Sequence, residues 1–96
     1  MTINRKHGSV VIEYLKDGGT YIHYIKVDED YRNRGYGSKM LRYALSKAKM
    51  PVYLYAGSEL GGDVVRLKKW YRRFWFVEQR GCVNGYNYNM VLSEGR

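Results

Sequence analysis

Two stretches near the start of the chain have the pattern of a β-hairpin. The run Val10-Val11-Ile12-Glu13-Tyr14-Leu15 is rich in β-branched and aromatic residues, and residues 20–27 have the same character. Both compositions are typical of strands. Between them, Asp17-Gly18-Gly19 offers residues that adopt positive φ in a tight turn. The pattern therefore predicts a strand over residues 9–16 that turns back onto a second strand over residues 20–27.

Two later segments repeat apolar residues at three- and four-residue steps, which places them on one face of a helix. In the first segment, residues 36–49, the apolar positions are Tyr36, Met40, Leu41, Ala44, Leu45 and Ala48. Pro51 ends this helix because proline cannot continue the hydrogen-bond ladder and disfavours helical backbone in Met50. The second helix follows Asp63, a predicted N-cap. Its apolar positions are Val64, Leu67, Tyr71 and Phe74.

The remaining apolar runs are short and predict three more strands, over residues 52–56, 76–79 and 86–92. Residues 80–85 contain two glycines and predict a turn, and the polar residues 1–7 are expected to be frayed. The predicted order is β-β-α-β-α-β-β in a single domain over residues 1–96. Because this order mixes a hairpin with crossover units, the predicted fold class is α/β (α+β), a mixed β-sheet flanked by two helices.

Composition and charge narrow the classes of protein. With 96 residues, 45% of them hydrophobic, the chain is long enough for one small core. The 17 Lys and Arg residues against 9 Asp and Glu give a net charge of +8, which favours an anionic ligand or partner. Cys82 is the one cysteine, so an intrachain disulfide is excluded, and with two histidines no metal site is expected. No apolar run is long enough to cross a bilayer and no signal peptide is recognised, so we expect a cytoplasmic protein without a membrane partner.

The stretch where the second strand meets the first helix predicts an anion site. It reads Arg32-Asn33-Arg34-Gly35-Tyr36-Gly37-Ser38-Lys39. The start of a helix leaves backbone N–H groups without intrahelical partners and carries the positive end of the helix dipole. Glycine lets an anion approach the main chain closely, and the basic residues add positive charge. We predict a cradle for a pyrophosphate; the alternative is an ordinary solvated loop with basic residues.

Two motifs in this order resemble the GNAT superfamily of acetyl-CoA-dependent N-acyltransferases. Arg-x-x-Gly-x-Gly, residues 32–37, is similar to the superfamily pattern Gln/Arg-x-x-Gly-x-Gly/Ala. Residues 67–76, Leu-Lys-Lys-Trp-Tyr-Arg-Arg-Phe-Trp-Phe, are similar to its second signature, an aromatic-Tyr-x-Lys-x-Gly-Phe run. The resemblance implies a GNAT fold and transfer of an acetyl group from acetyl-CoA, without a metal, to a primary amine. The superfamily usually places a further strand and two helices before the hairpin, and we expect a short member that lacks them.

The resemblance also implies how the coenzyme is held. The N–H groups of the cradle would bind the pyrophosphate, and the main chain of the preceding strand would run alongside the pantetheine arm and polarise the thioester carbonyl. The implied cofactor-binding residues are Ile25, Lys26, Val27, Arg32, Arg34, Gly35, Tyr36, Gly37, Ser38 and Lys39. Ile25 and Val27 are expected to belong to the core as well.

Tyr71 lies where many members of the superfamily place a tyrosine that protonates the leaving thiolate. A phenol has a usual pKa of about 10 and can donate a hydrogen bond to the developing charge. The chain departs from the motif at Trp75, which replaces the glycine, at Arg73, which replaces the lysine, and at Val64, where an asparagine is frequent. The alternative is that Tyr71 is one of 11 tyrosines and fills a helix face.

The candidate general base lies on the strand before the cradle. Members with a carboxylate base often carry it on this strand, where the chain has Tyr21, with His23 two residues on. Imidazole exchanges a proton near neutral pH, so His23 is the candidate, acting directly or through a water; a structural role is the alternative. Glu13, Asp28 and Glu59 are further candidates, and an amine deprotonated by solvent needs no base.

A different class of function stays open, a basic module of the same fold that binds a nucleic acid or a protein and has lost turnover. Tyrosines interleaved with cations are typical of nucleic-acid platforms, although they are also typical of half-buried sheet surface. The tyrosines in question are Tyr53, Tyr55, Tyr86 and Tyr88. For an enzyme, the acceptor would be a protein, a small molecule or an aminoacyl-tRNA. The expected open site would admit a macromolecule or be completed in a homodimer.

Overall fold

The computed structural model describes residues 1–16, 18–31, 35–57 and 63–93. The strands within this part are β1 (Thr2–Arg5), β2 (Gly8–Tyr14), β3 (Thr20–Val27), β4 (Val52–Leu54), β5 (Val77–Val83) and β6 (Tyr86–Leu92). The helices are α1 (Tyr36–Lys47) and α2 (Val64–Arg72), and a short 3₁₀ turn covers Glu29–Tyr31.

The strands form one mixed sheet in the order β1-β2-β3-β4-β6-β5. β1, β2 and β3 are antiparallel neighbours, whereas β3 and β4 are parallel because α1 carries the chain back between them. β6 lies between β4 and β5 and is antiparallel to both. The predicted mixed sheet flanked by two helices is confirmed, as is the predicted hairpin of β2 and β3.

The prediction that residues 1–7 are frayed is wrong, because β1 pairs with β2 along its whole length, from Thr2 opposite Val11 to Arg5 opposite Gly8. Of its side chains, Ile3 packs against the core. The strand is polar because it lies at the sheet edge, and its main-chain hydrogen bonds hold it there. The structure therefore has one strand more than the predicted order. That strand stands before the hairpin, where the chain was expected to lack one.

The predicted turn over residues 80–85 is also wrong, because β5 continues to Val83. The turn consists of Asn84 and Gly85, which have φ of 49° and 80°. Two successive residues with positive φ form the type I′ turn that suits the twist of a tight hairpin. A register shift between Glu78 and Gly81 accommodates the additional residue of β5.

Both helices pack on one face of the sheet. The sheet contributes Val10, Ile12, Ile22, Val52, Leu54, Met90 and Leu92 to the buried cluster, and the helices and the turn after α2 contribute Met40, Leu41, Ala44, Tyr71 and Phe76. The Trp70 indole N–H donates to Ser38 Oγ at 3.3 Å, so α1 and α2 lie side by side. The other face carries Glu13 and Tyr21, paired across β2 and β3, and Tyr53, which neighbours Tyr21 on β4. Of the described residues, no helix covers that second face.

Candidate functional site

β3 and β4 separate after three paired positions. Their register ends at Ile22 opposite Leu54, but β3 continues to Val27. Within the described part of the chain, residues 23–26 of β3 therefore have no strand beside them on the β4 side. We call this opening, between residues 23–26 and the residues 55–57 that follow β4, the fork. Main-chain groups at such an opening can pair with an extended ligand as a further strand would.

A buried side chain keeps the two arms of the fork apart. Asn89 of β6 accepts a hydrogen bond from the Ala56 N–H at 2.8 Å and donates one to the Ala56 carbonyl at 2.9 Å. Asn89 is 5% exposed and Ala56 2%. The chain after β4 is thus tied to β6 and away from β3. A cavity of about 290 Å³ opens beside it, lined by Tyr55, Ala56, Gly57, Val64, Lys68, Arg80 and Asn89.

His23 stands where the fork begins. The register of β2 and β3 shifts there, since Ile12 pairs with Ile22 but Val11 pairs with Tyr24, which leaves His23 as the additional residue of a bulge. Bulges of this kind re-aim a side chain, often next to an active site. His23 lies over the face of the sheet that no described helix covers, and its ring is 4.9 Å from that of Tyr21, two residues earlier on the same strand.

His23 belongs to a group of side chains in mutual contact that we call the His23 cluster, made of Glu13, Tyr21, His23 and Tyr86. His23 Nε2 lies 3.0 Å from Glu13 Oε1, and the Tyr86 hydroxyl donates to the same oxygen at 2.8 Å. The ring of Tyr86 lies 4.8 Å from that of His23 and 4.9 Å from that of Tyr21. The side chains of His23 and Glu13 are 28% and 41% exposed, so a ligand can reach them.

The charge of Glu13 decides which ring nitrogen of His23 carries the proton and which one holds the lone pair. Hydrogen bonds from His23 and then Tyr86 hold the pKa of the Glu13 carboxyl below its usual value, and the bond to Glu13 raises the pKa of Tyr86. Glu13 is therefore ionised at neutral pH and only accepts hydrogen bonds, so the neutral imidazole carries its proton on Nε2. Nδ1, which has no hydrogen-bond partner among the described residues, then holds the lone pair that can take a proton.

Tyr71 lies on the helix-covered side of the sheet, in the last turn of α2. It is 8% exposed and shares the buried cluster with Ile22 and Leu54, the last paired residues before the fork. Its ring lies 5.0 Å from that of Trp70 and 5.6 Å from that of Phe76. Burial raises the pKa of Tyr71 to about 12. The phenol therefore keeps its proton at neutral pH.

The predicted cradle has an open helix start. Gly35 precedes α1 with φ of 81°, a left-handed backbone that suits glycine, and no side chain caps the helix. The first hydrogen bond runs from the Lys39 N–H to the Gly35 carbonyl at 3.2 Å. Within the described residues, the N–H groups of positions 36–38 find no acceptor, which fits an anion. Arg32 and Arg34 lie outside the described residues.

The other predicted coenzyme contacts surround this helix start. Ile25 and Val27 are partly buried and pack against the core, whereas Lys26 and Lys39 are exposed. A Cβ added to Gly37 would lie 3.6 Å from Trp70 and 3.7 Å from Val27, so this glycine faces the neighbouring elements at ordinary contact distance. Of the other candidate bases, Asp28 is exposed just after β3, and Glu59 lies outside the described residues.

Three residues of this site were missed or only partly recognised from the sequence. Glu13 was one of several candidate bases, but its hydrogen bond to His23 depends on strand pairing. Tyr86 was considered only for a nucleic-acid platform or for half-buried sheet surface. The Asn-Gly turn before it is a local signal for the hairpin of β5 and β6, but no local signal places Tyr86 beside Glu13. Nothing in the sequence marked Asn89, because its partner Ala56 is 33 positions away.

The described residues hold no group of three or more His, Cys, Asp or Glu side chains that could bind a metal ion. Neither α1 nor α2, the two α-helices in the described part of the chain, has the length and apolar character needed to cross a membrane.

Comparison with known proteins found a matching family model and a solved structure with a similar fold. A family model of the acetyltransferase (GNAT) domain matches residues 2–86. Among solved structures, the fold is similar to that of Arabidopsis thaliana Naa50 in complex with the bisubstrate analogue CoA-Ac-MVNAL, with a TM-score of 0.57 and 23% sequence identity. The match covers 88% of this chain and 63% of the Naa50 chain, so it spans less than two thirds of that protein. Comparison with curated proteins found no match.

Proposed function

The chain belongs to the GNAT acetyltransferase family, and from this premise we propose that it transfers an acetyl group from acetyl-CoA to a primary amine. The observation that carries the proposal is the fork, which begins at His23 and opens towards the uncapped start of α1. Acetyl-CoA, when bound, supplies the acetyl group as a thioester. The residues around the fork would bind the coenzyme, orient its thioester carbonyl and take the proton of the amine.

The donor would be held by main-chain groups. Residues 23–26 of β3 offer hydrogen-bonding groups on the open side of the strand, in the way that a sheet edge takes up an extended peptide. The N–H groups of positions 36–38 and the charge of Lys39 would hold the pyrophosphate at the positive end of the helix dipole. This arrangement makes the position of the reacting carbonyl depend on the backbone, which is rigid in a paired sheet.

The His23 cluster supplies the base. A protonated amine cannot attack a carbonyl because its lone pair is engaged, so a group at the site has to take the proton. Nδ1 of His23 takes it, and Glu13 holds the ring in the required tautomer and stabilises the imidazolium that forms. Tyr86 keeps the Glu13 carboxylate in place through its own hydrogen bond. Glu13 and Tyr86 are therefore positioning residues.

Tyr71 stabilises the leaving thiolate from the other side of the sheet. With a pKa raised to about 12, its phenol is a weaker acid than a thiol, whose usual pKa is about 8.5. Full proton transfer would then be unfavourable by about 5 kcal/mol. We therefore assign Tyr71 a hydrogen bond to the sulfur rather than transfer of its proton, a weaker role than the resemblance implied.

The amine acceptor would approach from the face that carries the His23 cluster. The tyrosines of that face include Tyr21 and Tyr53, and no helix among the described residues stands over them. A protein or an aminoacyl-tRNA fits such an open face as well as a small amine does. The amine proton would then go to His23 on the acceptor side. The coenzyme would leave as a thiolate whose negative charge accepts a hydrogen bond from Tyr71 on the helix side, with the fork between them.

The first experiment titrates the protein with acetyl-CoA in a calorimeter. We expect micromolar binding that Lys39→Glu weakens about ten-fold, since reversing one charge beside a phosphate costs about 1.4 kcal/mol or more. Lys16→Glu is the matched control, because this exposed lysine lies in the β2–β3 turn at the opposite end of β3. A folded protein that binds no acetyl-CoA would overturn the proposal.

The second experiment follows thiol release from acetyl-CoA with a panel of peptide, polyamine and aminoacyl-tRNA acceptors. Removing a general base typically lowers kcat by 10²–10⁴-fold, so His23→Gln should lower kcat about 100-fold or more while KM for acetyl-CoA changes less than about two-fold. His7→Gln, the other histidine, should leave kcat unchanged. The kcat of Glu13→Gln should lie between those of His23→Gln and His7→Gln, because Glu13 positions the base without taking the proton. Binding without turnover for any acceptor would instead favour the inactive binding module.

A further inference from the structure

A second concave surface lies on the far side of α1 from α2. It is a cavity of about 720 Å³ between α1 and the β1–β2 turn. Its lining consists of Asn4, Arg5, Lys6, His7, Tyr36, Lys39, Met40, Arg42, Tyr43 and Ser46. We call it the basic groove. It touches the cradle at Tyr36 and Lys39 but continues along α1 to Ser46, about 10 Å beyond Lys39 at 1.5 Å per residue.

The lining of the groove is strongly cationic. Arg5, Lys6, Lys39 and Arg42 contribute four positive charges, and no aspartate or glutamate is among the described residues of the lining. The Arg42 guanidinium also lies 5.9 Å from the centre of the Phe74 ring, just after α2. Asp28 neighbours the lining, since its N–H donates to the His7 carbonyl at 2.8 Å, but it is not one of the lining residues. Like charges collected in a concavity create a positive potential that concentrates anions. The net charge of +8 is thus gathered in part on one surface.

Aromatic rings alternate with these cations. The Arg5 guanidinium lies 4.6 Å from the centre of the Tyr43 ring, with Lys47 Nζ 5.6 Å from it, and Lys39 Nζ lies 5.5 Å from the centre of the Tyr36 ring. His7 packs edge-on against Tyr36 at 4.6 Å. Cations that meet phosphates beside planar rings that stack on bases are the combination that binds single-stranded nucleic acid. We propose that the basic groove binds a single-stranded segment of nucleic acid.

The composition of the groove favours a nucleic acid over other polyanions. An acidic peptide would use the charges but leave the rings without planar partners, whereas each nucleotide brings both a phosphate and a base. A membrane surface would need exposed apolar side chains, and Met40, the one aliphatic residue among the described residues of the lining, is 4% exposed. The groove shares Tyr36 and Lys39 with the cradle, whereas the rest of its lining lies along α1 and the β1–β2 turn, outside the proposed catalytic and coenzyme residues.

The test measures fluorescence anisotropy of a fluorescein-labelled 12-nucleotide oligo(U), with and without saturating acetyl-CoA. The variant is Arg5→Glu/Arg42→Glu, and the matched control is Arg66→Glu/Lys69→Glu, two exposed positions of α2 with the same change of charge. Arg5→Gln/Arg42→Gln is a milder version should the charge reversal disturb folding. None of these residues belongs to the proposed catalytic or coenzyme site.

We expect the groove variant to weaken oligonucleotide binding at least about ten-fold and the control less than about three-fold. Each phosphate contact adds about 0.7 to the slope of log affinity against log salt concentration. If the variant loses two such contacts, the drop in affinity between 50 and 200 mM salt should be about seven-fold smaller than in the wild type. Acetyl-CoA binding should not change.

Equal weakening by both double variants would mean that the oligonucleotide binds through the overall positive charge of the protein rather than in the groove, and would overturn the proposal. Parallel loss of acetyl-CoA binding would assign the groove to the coenzyme, and equal affinity for oligoglutamate would assign it to an acidic protein; either result contradicts the proposal.

Discussion

Replacing Asn89 should destabilise the protein and disturb the fork together. In Asn89→Ala, the Ala56 N–H and carbonyl lose buried hydrogen bonds of 2.8 and 2.9 Å. Each buried group left without a partner costs about 1–3 kcal/mol, so we expect a loss of about 3 kcal/mol or more. A protein of this length has a free energy of unfolding of about 5–14 kcal/mol, so the loss is a large part of the total.

Urea denaturation followed by tryptophan fluorescence and circular dichroism measures this loss, and thermal melting should show a fall in Tm of about 12–24 °C. The matched control is Asn87→Ala on the same strand, where the side chain is exposed and the main-chain carbonyl still accepts from the Tyr21 hydroxyl. It should change the free energy of unfolding by less than about 0.5 kcal/mol. At a temperature where Asn89→Ala is still folded, acetyl-CoA affinity should also fall, because residues 55–57 lose their tie to β6.

Asn89→Asp tests the direction of the two hydrogen bonds. A carboxylate accepts from the Ala56 N–H but repels its carbonyl, whereas a protonated carboxyl accepts and donates as the amide does. The folded state then favours the protonated form, so the destabilisation relative to wild type should shrink as pH falls from 8 to 5. A cost below about 1 kcal/mol for Asn89→Ala, or a pH-independent cost for Asn89→Asp, would refute the reasoning.

Three further predictions concern other parts of the fold. Thr20 is 0% exposed, and its hydroxyl donates to the Lys49 carbonyl and accepts from the Lys49 N–H. Thr20→Val should therefore lower the free energy of unfolding, measured by urea denaturation, by about 2–3 kcal/mol. Thr20→Ser keeps the hydroxyl and should lower it by about 1 kcal/mol. Because the pKa of Tyr71 is raised to about 12, its neutral form adds stability that is complete below pH 10 and lost between pH 10 and 12. The difference in free energy of unfolding between wild type and Tyr71→Phe should therefore drop by about 2–3 kcal/mol over that window; a constant difference would contradict it. Gly35→Ala places an L-residue at φ of 81° and should lower the free energy of unfolding by about 1–2 kcal/mol, measured by thermal melting. The cost comes from the backbone, since no described residue lies within 4 Å of the added Cβ. An unchanged Tm would mean that the turn changes its conformation to accept alanine.

Features that depend on neighbouring residues in the chain were predictable from the sequence. The Asp63 carboxylate caps α2 by accepting from Val65 N–H at 3.0 Å and Arg66 N–H at 3.4 Å, as its position before the apolar repeat indicated. The β2–β3 hairpin and the apolar face of α1 were recognised for the same reason, since turn residues and helical periodicity act over a few positions.

Strands that form mainly through pairing were missed. Residues 2–5, Thr-Ile-Asn-Arg, and residues 80–83, Arg-Gly-Cys-Val, are too short and too mixed to show the alternation of a half-buried strand. Both lie in the sheet because β2 and β6 offer them main-chain partners. Their stability comes from hydrogen bonds across the sheet, which no local pattern encodes.

The sequence by itself determined the family, the order of most elements and the identity of the candidate groups, because two motifs, apolar periodicity and caps are written in consecutive residues. Tertiary structure alone decided which groups meet. Strand pairing brings His23 to Glu13, ten positions away, and to Tyr86, and the packing of α2 places Tyr71 on the opposite side of the sheet. The fork likewise depends on the hydrogen bonds between Asn89 of β6 and Ala56, which follows β4. These contacts depend on how distant strands pair, and a one-residue change of register would send each side chain to the other face.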